Sequence, residues 1–62
     1  MKYIVLIQNK IVFPRVFDSF QKAEDFMSGG HRNEKLTEIE LQFINNYLYE
    51  LYNIKQIIEN GN

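Results

Sequence analysis

From Thr37 to Glu59, apolar residues recur so densely that they dictate what the rest of this chain can be. Thr37 and Glu40 have the spacing of a capping box, in which the threonine hydroxyl takes the Glu40 amide and the glutamate reaches back to the threonine amide. Leu36 and Leu41 flank it at staple spacing, and Asn60-Gly61 is a helix-stopping pair. The spacing predicts one helix over 38–59, about 33 Å long. Placed at 100° per residue, its apolar positions form two adjoining stripes that cover roughly 200° of the circumference, about twice what a helix lying on a single core needs.

Such a helix requires neighbours on two sides. Leu41, Ile44, Leu48, Leu51, Lys55 and Ile58 follow a 3-4 spacing suited to packing against a second copy, with Lys55 the one interruption, so the five apolar residues are the expected homodimer interface. The opposite face is polar but almost uncharged. Gln42, Asn46, Tyr49 and Asn53 lie on it, and the tyrosine there suggests a partner-binding surface, since tyrosine adds contact area at little entropic cost. A basic amphipathic membrane helix is not expected, because the segment holds one lysine and no arginine.

The N-terminal half reads as a hairpin and a short helix. Tyr3-Ile4-Val5-Leu6-Ile7 is apolar without alternation, the pattern of a strand buried on both faces. Asn9-Lys10 suits a two-residue turn, and 11–17 a return strand in which Pro14 demands an edge or a bulge. Asp18 or Ser19 would cap a helix whose inner face is Phe20, Ala23, Phe26 and Met27. Gly29-Gly30 ends it, and 29–35 is the connecting loop. The expected architecture is therefore α+β: a ββαα single domain spanning 1–62 that dimerises through its long C-terminal helix. Dimerisation also fits the chain's length, since 62 residues without cysteine stand near the lower limit for independent folding.

Chemistry is harder to find. There is one histidine and no cysteine, so hydrolytic triads and zinc sites lack partners. His31-Arg32 follows two glycines but lacks phosphate-loop spacing, and reads as a polar loop. Glu24-Asp25 and Glu38/Glu40 are carboxylate neighbours on helix surface rather than groups facing each other across a cleft. No catalytic residue, metal ligand or cofactor site is expected.

The leading functional expectation is a non-enzymatic protein-interaction module, more concretely an inhibitor or modulator of a host protein acting by surface occlusion. Phe, Tyr, Met, Ile, Asn and Lys make up half of the residues, a usage typical of AT-rich genes, which suggests a phage or mobile element. The alternative is a small dimeric nucleic-acid-binding transcriptional regulator using Lys2, Lys10, Arg15, Lys22 and Arg32, although a net charge of −1 lowers that expectation. An antitoxin or assembly factor with a dedicated partner is a third possibility. With no apolar run long enough for a leader or a membrane span, a cytoplasmic protein without membrane contact is expected.

Overall fold

The structure is a computed structural model that describes residues 1–47 and 50–57. In chain order it forms strands β1 (Lys2–Ile7) and β2 (Ile11–Val12), helix α1 (Phe20–Met27), a 3-10 turn (Gly30–Asn33), helix α2 (Glu38–Tyr47) and strand β3 (Tyr52–Ile57). The strands make one antiparallel sheet in the order β2-β1-β3, so the apolar strand β1 is central and is paired along its whole length by the C-terminal segment.

That pairing overturns the expected ββαα architecture. There is no long C-terminal helix: α2 is described over the ten residues Glu38–Tyr47, about 15 Å, and Tyr52 to Ile57 is a strand. The physical reason lies in β1. A strand apolar on both faces is stable only between neighbours, and a two-residue β2 cannot supply enough of them. Tyr52, Ile54 and Ile57 are good strand formers, and Asn53 is a poor helix former, so little helical propensity is given up. The helix-long dimer stripe disappears with the helix.

The turn between β1 and β2 is centred on Gln8 and Asn9 rather than on Asn9 and Lys10. Both have positive φ (57° and 63°), as a primed hairpin turn requires, and Lys10 N–H donates to the Ile7 carbonyl at 3.1 Å. Beyond Val12 the outer strand stays paired at Phe13, which donates to Val5, and at Phe17, which exchanges both backbone bonds with Tyr3. Between them Pro14, Arg15 and Val16 bulge outward. Proline suits this place because it has no N–H to lose, and Arg15 N–H closes a tight turn onto the Phe13 carbonyl at 2.8 Å.

One face of the sheet carries the core. Val5, Ile7, Phe13, Phe17, Ala23 and Phe26 are buried, with Tyr3, Leu36, Phe43, Ile44, Tyr47, Tyr52 and Ile54 packed around them. Phe13 is the hub, its ring 5.6 Å from Phe26 on α1 and 5.8 Å from Phe43 on α2. Ser19, not Asp18, caps α1, accepting from the Lys22 amide at 3.1 Å. The helix leaves through Gly29 at φ 144°, and a Cβ on Gly30 would stand 2.8 Å from the Asp25 carbonyl oxygen. Alanine at either position should cost about 1–2 kcal/mol in chemical denaturation, Gly29 through backbone strain and Gly30 through a collision with main chain.

Candidate functional site

Two places hold side chains in unusual settings. The first is the junction of the bulge and α2. The bulge aims Arg15 inward, where its guanidinium donates to both oxygens of Glu40, from Nε at 2.6 Å and from NH2 at 3.1 Å. It also reaches Glu34 at 3.3 Å and the Lys35 carbonyl at 3.2 Å, and lies 4.8 Å over the Phe26 ring. Glu40 is only 4% exposed and completes the capping box, accepting from the Thr37 amide at 2.8 Å while its own amide donates to the Thr37 hydroxyl at 3.1 Å. The Arg15 hydrogen bond, against an opposing push from burial, holds the Glu40 carboxyl below the ordinary carboxylate range, and the same contact raises Arg15.

A sign follows for stability. Because the folded pKa of Glu40 lies below its unfolded value, the pair contributes fully above about pH 5 and its contribution is lost as pH falls through the folded pKa. The urea midpoint should fall between about pH 5 and pH 3, and in Glu40→Gln that fall should be shallower, since the Glu40 contribution is gone while that of Asp18, lowered by its Lys2 hydrogen bond, remains.

This junction ties the bulge to α2 and to the segment before it. An open cleft of about 560 Å³ lies beside it, lined by Arg15, Asp18, Lys22, Asp25, Phe26 and Glu34 among others. Its charges are largely spent on one another: Lys2 and Lys22 meet Asp18 at 2.8 and 4.0 Å, and Arg15 is held by Glu40 and Glu34. His31 is tied to the Phe26 carbonyl through Nδ1 at 3.0 Å and its ring lies 5.9 Å from that of Phe26, so it fastens the 3-10 turn to α1. Tyr52 O–H donates to Glu24 at 3.5 Å, and burial, then the Glu24 charge, raises its pKa. Among the described residues no group of three or more His, Asp or Glu could hold a metal ion.

The second place is the face of the sheet away from the helices. Residues directly opposite in an antiparallel pair share a face, so the β1–β3 register sets Lys2 with Ile57, Ile4 with Lys55 and Leu6 with Asn53 on one side, and Leu6 pairs across β1–β2 with Val12. Ile4, Leu6, Val12 and Ile57 lie outside the core, and Val12 is 51% exposed. A sheet with one solvated face normally presents polar residues there. This one presents an apolar centre with Lys2 and Lys55 beside it. At the turn end of the same sheet Leu51 is 85% exposed, and Gln8 there donates to Glu50 at 2.8 Å while Asn53 donates to Asn9.

The residues expected to act together are scattered. Of the expected dimer interface, Leu41 is half-exposed on α2, Ile44 packs on the core, and Leu51 precedes β3; Leu48 and Ile58 lie outside the described residues. Of the expected partner-binding group, Gln42 and Asn46 are exposed on α2 whereas Asn53 is on the far face of the sheet, and Tyr49 lies outside the described residues. Of the basic residues assigned to nucleic acid, Lys2, Arg15 and Lys22 are drawn into ion pairs. Only the β1 part of the helix-free face is legible in the sequence, because its residues come from three segments. Its one local signal was the lack of alternation in Tyr3–Ile7, which leaves Ile4 and Leu6 apolar on the side opposite Val5.

Comparison with known proteins yields no likeness to argue from: no family model, curated protein or solved structure matches the chain.

Proposed function

We propose that this chain is a non-enzymatic protein-binding module whose working surface is the helix-free face of its sheet. One observation supports this above all: Ile4, Leu6, Val12 and Ile57 share that face without belonging to the core. Contiguous apolar surface of this kind is characteristic of interaction sites. Lys2 and Lys55 on the same face favour a partner that offers apolar side chains among Asp and Glu, and they disfavour a second copy stacked face to face. Of the carboxylates, Glu40 is engaged by Arg15 and Asp18 by Lys2.

The finer proposal is a modulator that acts by covering a functional surface of a host protein in the cytoplasm. AT-rich residue usage supports a phage or mobile-element setting, and the lack of cysteine suits a reducing compartment. No helix among the described residues is long and apolar enough to cross a membrane.

The test is capture from lysate of an AT-rich bacterium, with nuclease, using three baits: wild type, Leu6→Glu on the sheet face, and Ile39→Glu on exposed α2 surface. The proposal expects a stoichiometric acidic protein on wild type and Ile39→Glu that is lost on Leu6→Glu, with all three baits folded by circular dichroism. Equal capture by all three would move the binding surface elsewhere, and recovery of nucleic acid in place of protein would favour a regulator.

A further inference from the structure

The two edges of the sheet are built differently. The β2 edge is protected by three ordinary devices: only two strand residues, a proline, and a bulge that bends the chain away. The β3 edge has none of them. Tyr52–Ile57 runs six residues without proline, glycine or bulge, and Lys55 is its one charge.

Backbone parity shows what that edge offers. Gln8 N–H donates to the Leu51 carbonyl at 2.9 Å, which makes this a hydrogen-bonded pair in register with Lys2↔Ile57. Hydrogen-bonded and non-hydrogen-bonded pairs alternate, so Leu51, Asn53, Lys55 and Ile57 turn their amides and carbonyls toward β1. Tyr52, Ile54 and Gln56 turn theirs outward, and among the described residues no backbone hydrogen bond reaches that edge.

We infer that β3 pairs antiparallel with β3 of a second copy, centred on Ile54. In this register Ile54 exchanges both backbone bonds with its counterpart, and Tyr52 does so with Gln56 of the second copy. The intervening close pairs set Asn53 beside Lys55 and Leu51 beside Ile57, all on the helix-free face. The choice of occupant rests on this self-complementarity. Moving the centre to Lys55 would place two lysines directly opposite each other, which is unfavourable, whereas the Ile54 register opposes each lysine to an asparagine and covers Leu51, the most exposed large apolar side chain among the described residues, with an isoleucine. The strand order becomes β2-β1-β3-β3-β1-β2, with the protected edges outermost. A two-fold contact of this kind closes on itself and stops at two chains.

The inference stands apart from the protein-binding proposal, which concerns the face and not the edge. Its test is sedimentation equilibrium of chemically synthesised chains from micromolar to millimolar concentration. Wild type should approach twice the 7.5 kDa chain mass. Methylation of the Ile54 backbone nitrogen, which alters only an outward amide, should give the 7.5 kDa monomer with unchanged far-ultraviolet circular dichroism. Leu51→Lys, at a position exposed within the chain, should weaken the dimer about tenfold, because a symmetric contact feels the change twice. A wild type that stays monomeric throughout would overturn the inference, as would a dimer of unchanged strength in either variant.

Discussion

Arg15→Ala should remove a large part of the stability of this chain. The substitution strands a carboxylate that is 4% exposed and has already given one oxygen to the α2 cap. Removing one partner of a buried pair typically costs about 3–5 kcal/mol, and the partial exposure of Arg15 argues for the lower end. A chain of 62 residues has a total stability of only about 3–9 kcal/mol. The same guanidinium ties together the bulge, Glu34, the Lys35 carbonyl and the Phe26 ring, so the loss falls on several elements at once. Arg15→Lys should recover part of it, because an ammonium restores the charge but not the two-pronged contact. Thr37→Ala, which removes only the cap hydroxyl, should cost about 1 kcal/mol. Urea denaturation of the three variants orders them, and an Arg15→Ala chain as stable as Thr37→Ala would show that Glu40 is solvated rather than buried.

Phe13→Ala should be comparably severe. Phe13 is 2% exposed and its ring meets those of Phe26 and Phe43, so its loss opens a cavity where the sheet and both helices converge. Truncating a buried phenylalanine costs about 3–5 kcal/mol, again a large part of the stability of the chain. Phe20→Ala, on a ring that is half-exposed at the start of α1, should cost under about 1.5 kcal/mol. Thermal unfolding of the pair separates them. Similar melting temperatures would mean that the aromatic hub is not where the chain holds itself together.

Local signals carried the sequence a long way up to Tyr47. The Thr37–Glu40 box closes as its spacing demands, α1 buries Ala23 and Phe26 of its expected inner face but leaves Phe20 half-exposed, and the chain reverses after Ile7 within one residue of the expected turn. What misled was the C-terminal segment. Leu51, Ile54 and Ile57 recur every third residue, as on a helix, while Tyr52 and Ile54 also alternate as on a strand. A short segment can satisfy both periods. The decision is tertiary: an apolar β1 with a two-residue neighbour on one side needs a full strand on the other. Tyr3–Ile7 holds that information, but a strand apolar on both faces asks equally for a cover and for a second neighbouring strand. The ion pair of Arg15 and Glu40, 25 residues apart, leaves no local trace at all. Arg15 looks like any surface cation until the bulge turns it inward.

Everything proposed for the helix-free face and for the β3 edge depends on residues 52–57 being a strand against β1. Two-dimensional NMR of the uniformly labelled chain examines that arrangement without any partner. Close Hα–Hα contacts should join the non-hydrogen-bonded pairs Tyr3–Gln56, Val5–Ile54 and Ile7–Tyr52. If those contacts are absent and residues 50–57 instead show helical i to i+3 contacts continuous with α2, then the C-terminal third is a helix after all, and the face, the edge and the dimer register proposed from them do not exist.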